Sequence, residues 1–397
     1  MFEDLHRKVY KQCHLWLSQV YTFGCNDDGA LGRSTTREGS ETTPGRVTLD
    51  GPAAAVSAGD SHTAALMTDG RVFAWGSFRD SSGLMGLTGA GPQPSPTQLL
   101  ESVRVAQIAS GSDHLACLSD GGDIYTCGCA EQGQLGRVAE VFAKRGGRRG
   151  LGFVLEPGIV HCKRVRGKTI QFDKIWAGQY VTFARSKASG DVYAFGLNNY
   201  CQLGLPQKVH SAFMPQQAKT FDNKCWVKIN GGQHHTLALD DQGRVYSLGR
   251  KEYGRLGLGE EGDDQASPTL LTSLSGVTCT DVACGSCVSY AVTEEGAAYA
   301  WGMGTNGQLG NGNDDDDRWT PERMSGRALQ TRAVLRVSAG GQHSVLLAGD
   351  RPPAAAAPGD PSQVSSTTDA AGLRPGVAEN GVAASACNEA VPATASS

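Results

Sequence analysis

The sequence lacks the hydrophobic runs that mark membrane and secreted proteins. Across its 397 residues there is no apolar stretch long enough for a transmembrane helix, and no signal-peptide core is visible. Large net charge is also missing, because the formal value at pH 7 is −4. That value argues against a protein that coats nucleic acid with its whole surface. No nucleotide-binding loop, nucleophile elbow or nucleophile–base pair is recognisable, which disfavours an enzyme.

Paired cysteine motifs are missing as well. The twelve cysteines are scattered along the chain, mostly at strand-like positions. This pattern is typical of reduced thiols in an intracellular protein. Cys284 and Cys287 form one C-x-x-C pair, but no second pair accompanies them, so a structural role is favoured over zinc. We therefore expect no metal and no cofactor.

Glycine, in contrast, is abundant, and its spacing reveals a repeat. The chain has 53 glycines, about twice the usual share. Three of them recur in each copy of a unit about 53 residues long. The first glycines of the copies are Gly59, Gly111, Gly178, Gly232, Gly285 and Gly340. The second glycines are Gly70, Gly122, Gly190, Gly243 and Gly296, and the third are Gly76, Gly128, Gly196, Gly249 and Gly302.

Each unit has the pattern of β structure. The stretch "HTAALMTDGRVFAWG", from His62, contains an apolar strand, a Thr-Asp-Gly turn and a second strand. A single hairpin is marginally stable, so the units must stack on one another. The sequence therefore predicts an all-β fold, a β-propeller in which six repeats are recognisable. A long solenoid is the alternative, and six units suit a ring better.

Three segments depart from the repeat. Residues 1–18 match no part of the unit and form an atypical N-terminal segment. Residues 19–349 are predicted to form the propeller, with an insertion after Gly136 that contains "FAKRGGRRGLG". Residues 350–397 are rich in Ala, Pro and Ser and are predicted to be disordered.

The repeat motifs resemble a known family. Gly-x-x-His-Thr followed by Val-Tyr-x-x-Gly and Gly-Gln-Leu-Gly, with longer stretches such as "SAGDSHTAAL" and "WGMGTNGQLG", is similar to the regulator of chromosome condensation family. The resemblance implies a seven-bladed propeller with four-stranded blades. It also implies guanine-nucleotide exchange on the small GTPase Ran at one face, nucleosome binding at the other, and a nuclear, chromatin-associated protein. No covalent chemistry is expected.

The two positions after each first glycine keep their frame but vary in chemistry, as expected of loops that face a ligand. By resemblance, Asp60, Asp113 and His234 match positions that contact Ran, and Asp113 and His234 are the pair most directly tied to exchange. Arg137 and His343 match further Ran-facing positions. Ser77, Phe78, Arg79 and Asp80 resemble the family's β-wedge, which inserts near the phosphate-binding loop of the GTPase; an ordinary hairpin loop is the alternative.

Some of these positions have a structural interpretation beside the functional one. His62, His114, His235 and His343 occupy one repeated slot, in which we expect the imidazole to hydrogen-bond neighbouring backbone. His343 therefore carries both interpretations. Asp113 is also compatible with a turn-capping role.

The insertion carries Lys144, Arg145, Arg148 and Arg149 among glycines. Basic residues on a glycine-rich loop suit a phosphate backbone or an acidic protein patch, and a solvated loop is the alternative. By resemblance this loop engages the histone acidic patch of the nucleosome and nearby DNA. The family's basic N-terminal tail is not recognisable here, so recognition by importin and a partly cytoplasmic distribution are both open.

The number of repeats departs from the family pattern. The recognisable repeats are six rather than seven, because the chain starts with the second half of a unit and ends with the first half of one. The two halves either pair and close a ring or leave a gap. Three functions follow: a Ran exchange factor, a non-catalytic propeller that binds chromatin or another protein, and an enzyme that uses the histidines, which is disfavoured.

Overall fold

The computed structural model describes residues 18–144, 150–162, 169–305, 307–312, 316–341 and 343–350, and these belong to one compact unit. The predicted chromatin residues Arg145, Arg148 and Arg149 lie outside the described residues, as do residues 1–17 and the tail from residue 351. Within the described part, no helix is long and apolar enough to cross a membrane.

The described strands pair antiparallel in sheets that follow the repeat frame. An N-terminal half-blade comes first, with strands β1 (Tyr21–Thr22) and β2 (Gly45–Arg46). Blade 1 consists of β3 (Ala53–Ala58), β4 (His62–Met67), β5 (Val72–Gly76) and β8 (Gln93–Leu99), with a separate hairpin of β6 (Phe78–Asp80) and β7 (Gly83–Gly86) between its last two strands.

Four further four-stranded blades and a second half-blade complete the unit. Blade 2 has β9 (Val105–Ser110), β10 (His114–Ser119), β11 (Ile124–Gly128) and β12 (Gly158–Ile159), and blade 3 has β13 (Phe172–Ala177), β14 (Val181–Ser186), β15 (Val192–Leu197) and β16 (Ser211–Gln217). Blade 4 has β17 (Trp226–Gly231), β18 (His235–Asp240), β19 (Val245–Gly249) and β20 (Gln265–Leu270), and blade 5 has β21 (Cys279–Cys284), β22 (Val288–Thr293), β23 (Ala298–Gly302) and β24 (Arg318–Arg323). The C-terminal half-blade has β25 (Arg332–Ala339) and β26 (Ser344–Asp350).

Helices are short and lie between strands. The insertion of blade 2 contributes α1 (Glu140–Lys144) and α2 (Leu151–Leu155), and α3 (Arg327–Gln330) precedes β25. Single 3₁₀ turns occur at Lys219–Phe221, Glu252–Gly254 and Thr272–Leu274.

The blades are arranged around an axis, and the first strand of each blade packs against the first strand of the next. The first glycine of each unit makes this approach possible: a Cβ on Gly111 would lie 2.4 Å from the carbonyl oxygen of Gly178 in the next blade. Gln179 Nε2 of blade 3 also donates a 2.8 Å hydrogen bond to Ser286 Oγ of blade 5. Because this contact joins blade 3 directly to blade 5, the loops of successive blades converge on a common axis. The predicted propeller is confirmed.

The two half-blades do not join into one sheet. Each forms a separate two-stranded sheet in the part of the chain that the structure describes. Val345 and Leu347 of β26 are 56% and 57% exposed, although the residues at the same frame positions in blade 2, Ala116 and Leu118, are buried. On the other side, Val56 of β3 is 58% exposed. Of the two outcomes left open by the sequence, the described residues show the gap.

Candidate functional site

The loops that carry the candidate residues are fixed by the third glycine of each unit. Gly128 ends β11 with φ +113°, and a Cβ there would lie 2.4 Å from the carbonyl oxygen of Asp113. Gly249 stands in the same relation to His234, with φ +110° and the same 2.4 Å. A side chain at either position would push the loop away, and positive φ also favours glycine. The repeat therefore places Asp113 and His234 at equivalent points of blades 2 and 4.

Asp113 belongs to an acidic cluster next to the predicted wedge. Its Oδ1 accepts a 2.8 Å hydrogen bond from the backbone N–H of Arg79. Burial raises the pKa of the Asp113 carboxyl to about 6; the Arg79 hydrogen bond opposes this rise, and the neighbouring Asp60 and Asp28 carboxylates add to it. Burial, with the Asp60 and Asp113 charges, also raises the pKa of the nearby Tyr180 hydroxyl. The Asp113 carboxyl is therefore mostly ionised at pH 7 and gains a proton as the pH falls through about 6.

The predicted wedge is the β6–β7 hairpin, and its residues divide into anchors and surface groups. Ser77 and Phe78 are fully buried. The Ser77 hydroxyl accepts a 3.0 Å hydrogen bond from the Gly86 N–H, and the Phe78 ring lies 4.6 Å from the His62 ring. Both side chains therefore anchor the hairpin, and a contact of Ser77 and Phe78 with Ran stays a prediction. Arg79 is exposed, and Asp80 is partly buried near the tip.

His234 lies in a different environment from Asp113. Its ring is 5.0 Å from the Tyr200 ring in an edge-on arrangement, and the Arg250 guanidinium lies 4.7 Å over that same tyrosine. Burial lowers the pKa of His234 to about 4, and the Arg255 and Arg250 charges add to the effect. The imidazole is therefore neutral at pH 7, and it offers hydrogen bonding and a ring face without charge. The structure surrounds Asp113 and His234 with separate sets of neighbours.

The repeated histidine slot makes a structural hydrogen bond in two units, but its partner differs from the expected backbone. His114 Nε2 lies 2.9 Å from Thr182 Oγ1, whose own proton goes to the Gln134 carbonyl oxygen. His235 Nε2 lies 2.8 Å from Ser289 Oγ, which donates to the Arg255 carbonyl oxygen. Because each hydroxyl proton is already used, each imidazole must be the donor. The slot thus ties blade 2 to blade 3 and blade 4 to blade 5 by a side-chain hydrogen bond.

The two remaining histidines of the slot depart from this pattern. The position of blade 2 that corresponds to Thr182 and Ser289 is the apolar Leu115, and the ring nitrogens of His62 have no hydrogen-bond partner among the described residues. His343 lies in the C-terminal half-blade and is exposed, because no blade of the described residues covers it. It is accessible to a ligand, so both of its interpretations stand.

Arg137 directs its guanidinium into its own chain. It donates to the carbonyl oxygens of Thr126, Phe153 and Glu156 at 3.1, 2.9 and 2.8 Å, and it lies 4.7 Å over the Phe153 ring. Arg33 clamps carbonyl groups at the same frame position of the N-terminal half-blade. This geometry holds α2 next to β11. A contact of Arg137 with Ran stays a prediction.

The two cysteines of the C-x-x-C pair differ in burial, Cys284 being buried and Cys287 partly exposed. Cys284 is buried, with Sγ 3.0 Å from the Asn230 carbonyl oxygen, and burial raises the pKa of its thiol to about 12. Among the described residues, no group of three His, Cys, Asp or Glu side chains could hold a metal ion.

Two residues near the hairpin have no counterpart among the predicted site residues. Asp28, in the loop after β1, pairs with the Arg79 side chain. Glu131, in the loop after β11, accepts a 3.1 Å hydrogen bond from the Ser81 N–H at the hairpin tip. Neither contact has a signal in the sequence, because each joins residues about fifty positions apart.

Comparison with known proteins agrees with this architecture. The sequence matches the RCC1-like domain model over residues 17–346. It is 54% identical over 348 residues to the regulator of chromosome condensation of Mus musculus, in a match that covers 86% of this chain and 81% of the mouse protein. It is also 30% identical over 382 residues to the guanine nucleotide exchange factor SRM1 of Saccharomyces cerevisiae, covering 83% of this chain and 75% of the yeast protein.

Solved structures give the same result. The crystal structure of Prp20p from Saccharomyces cerevisiae, described with its binding properties to Gsp1p and histones, superposes with a TM-score of 0.75 at 29% identity. The match covers 85% of this chain and 79% of that one. Kap60 bound to yeast RCC1 (Prp20) gives the same TM-score at 28% identity, with 85% and 77% covered. From its repeats, its four-stranded blades and these relatives, we conclude that the chain belongs to the RCC1-like domain family.

Proposed function

We propose that this chain is a guanine-nucleotide exchange factor for the small GTPase Ran. The observation that carries the proposal is the junction of the acidic residue Asp113 with the surface hairpin through the Arg79 amide. Support also comes from the relatives, one of which is named a guanine nucleotide exchange factor and another of which was crystallised in a study of its binding to Gsp1p. The resemblance of the "SFRDSSG" hairpin to the family's wedge points to the same partner.

Exchange requires differential binding rather than bond chemistry. A GTPase holds its nucleotide through backbone amides, a lysine and Mg²⁺ around the phosphates. A protein that binds the nucleotide-free state more tightly than the loaded state must weaken nucleotide binding by the same factor. Asp113 and Asp60 provide carboxylates that compete with the phosphates for cationic groups of the GTPase. The hairpin, anchored by Phe78, provides a firm projection beside them.

His234 supplies a neutral contact in this proposal. Its low pKa keeps the imidazole uncharged, so it adds no positive charge to a surface that must attract the basic surface of the GTPase. The ring packs edge-on against Tyr200, which fixes its orientation. Arg137 and His343 contribute at the margin, Arg137 by holding α2 and His343 by its exposed ring.

The gap supports a weakened form of this activity. Val345, Leu347 and His343 are exposed where the next blade of a closed propeller would cover them. Contacts that such a blade makes with a partner are missing from the described unit. This observation also favours the second candidate function, a propeller that binds chromatin or another protein without accelerating exchange.

Nucleosome binding is the finer part of the proposal. Lys144 ends α1, Arg145, Arg148 and Arg149 follow it in the sequence, and a basic, glycine-rich loop suits an acidic histone patch and DNA phosphates. Prp20p was described with its binding to histones, and a complex of Kap60 with that protein is known. By analogy we propose a nuclear, chromatin-associated protein that an importin recognises.

The test is the release of labelled GDP from Ran in the presence of excess unlabelled nucleotide. Acceleration by the purified, folded chain supports exchange. A folded chain that binds nucleosomes but leaves GDP release at its intrinsic rate supports the non-catalytic candidate.

A further inference from the structure

The N-terminal half-blade sends a loop, residues 25–32, onto blade 1. The carbonyl oxygen of Ala30 accepts hydrogen bonds from Trp75 Nε1 at 2.8 Å and from Thr63 Oγ1 at 3.0 Å. Within the loop, the Leu31 N–H donates to Asn26 Oδ1 at 2.9 Å. These hydrogen bonds hold the loop in a fixed position on blade 1, although the half-blade borders the gap.

Asp28 lies at the tip of this loop and is the partner of the hairpin arginine. Arg79 Nη2 and Nε lie 2.6 and 2.8 Å from the same oxygen, Asp28 Oδ2. Only 11% of the Asp28 side chain is exposed, against 48% of the Arg79 side chain. A partly buried carboxylate with two donors on one oxygen is better fixed than a typical surface ion pair.

Arg79 consequently connects three parts of the protein. Its side chain binds the half-blade through Asp28, while its backbone N–H binds Asp113 of blade 2. Its neighbour Phe78 anchors the hairpin in blade 1. The direction of the hairpin and the place of the Asp113 carboxylate are thus set together, and Asp28 is the contact that comes from outside blades 1 and 2.

We propose that Asp28 is a positioning residue for nucleotide exchange, which holds Arg79 so that the hairpin and Asp113 meet the GTPase in one orientation. This inference rests on the proposed exchange function. Asp28 touches no reacting group and acts through Arg79. The half-blade thereby contributes to the site, although its own sheet has only two strands.

The first readout needs no GTPase. Asp28→Asn keeps the shape of the side chain and removes its charge, so the hairpin should open more often. We expect backbone hydrogen exchange of residues 77–86, followed by mass spectrometry, to be several-fold faster than in the wild type. Asp50→Asn is the matched control, because Asp50 pairs with Arg71 at 3.1 Å at the opposite end of blade 1. It should leave hairpin exchange unchanged.

The second readout is GDP release from Ran by the same variants, with folding checked by thermal melting. Loss of a partly exposed ion pair should change the rate of GDP release by roughly three- to tenfold. Asp28→Asn should therefore slow release by about that factor, and Asp50→Asn should not. Arg79→Gln removes the other partner. The double variant should be no slower than the slower single variant, because both changes remove one interaction.

Three results would overturn the inference. The first is hydrogen exchange of the hairpin in Asp28→Asn that matches the Asp50→Asn control, and the second is faster hydrogen exchange of the hairpin without slower GDP release. The third is a double variant in which the effects of the two single variants on GDP release multiply. The failure of the proposed function looks different. If the wild-type chain does not accelerate release, exchange is excluded, and the hairpin measurement alone decides whether Asp28 holds Arg79.

Discussion

The backbone N–H of Arg79 donates a hydrogen bond to Oδ1 of Asp113 at 2.8 Å, and this contact joins the hairpin of blade 1 to the loop between β9 and β10 of blade 2. The acidic group proposed to meet the GTPase and the projection proposed to insert beside it are therefore directly connected. A change at either residue should disturb both.

The first prediction concerns the pH dependence of exchange. Because burial raises the pKa of Asp113 to about 6, its charge is present above that pH and is lost as the pH falls through it. Exchange should therefore decline between pH 7 and pH 5. The measurement is GDP release across this range at constant ionic strength. Asp113→Asn should flatten the decline, and the same profile in both proteins would show that another group titrates.

The second prediction concerns acid stability. Burial lowers the pKa of His62, His114 and His235 to about 3. Between about pH 6.5 and pH 3 the unfolded chain binds protons that the folded chain excludes, so the free energy of unfolding falls as the pH falls. Each histidine contributes up to ~1.4 kcal/mol per pH unit in this window.

His62→Leu tests this contribution, because neither ring nitrogen of His62 has a hydrogen-bond partner among the described residues. Urea unfolding of the variant at pH 7.5 and pH 5.5 should show a smaller loss of stability than the wild type. An equal loss would mean that His62 is protonated in the folded state.

The third prediction tests the gap. Leu347 is 57% exposed and Leu118, at the same frame position of blade 2, is 3% exposed. Leu347→Ala should change the free energy of unfolding by no more than about 0.5 kcal/mol. Leu118→Ala should cost about 2–5 kcal/mol. Equal costs in urea unfolding would indicate that another surface covers Leu347 in solution.

The fourth prediction concerns chromatin. Replacing Arg145, Arg148 and Arg149 with alanine should weaken nucleosome binding and flatten its salt dependence. The slope of log affinity against log salt should fall by about 0.9 for every phosphate that the variant no longer neutralises. Binding measured between low and moderate salt checks this, with Arg104→Ala as the control, because Arg104 pairs with Asp120 in the turns of blade 2. Unchanged affinity would exclude the loop as a nucleosome-binding element.

The fold was predictable because its determinants are local and repeated. The glycine after the hairpin turn and the glycine that ends the third strand have positive φ in every blade, and both follow a fixed frame in the sequence. The half copies at the two ends were visible for the same reason. Whether they join was not, because pairing between β26 and β1 depends on how the blades are curved around the axis.

The site was predictable only in part. Resemblance gave Asp113, His234 and the hairpin, but the burial of Ser77 and Phe78 depends on packing against blade 2 and His62. The hydroxyl partner of His114 comes from the next blade, 68 residues later. Asp28 reaches Arg79 across 51 residues. Such contacts arise from the arrangement of the blades, and no local pattern records them.

The most direct test of the proposed function is the rate of GDP release from Ran with the wild-type chain, with Asp113→Asn and with a seven-repeat relative, all checked for folding by thermal melting. We predict that the wild-type chain accelerates release, but less than the relative does. Asp113→Asn, which changes charge with little change in shape, should be slower again, by roughly a hundredfold if about 3 kcal/mol of differential binding is lost. A folded wild-type chain that leaves release at the intrinsic rate, or an Asp113→Asn variant as fast as the wild type, would contradict the proposed role.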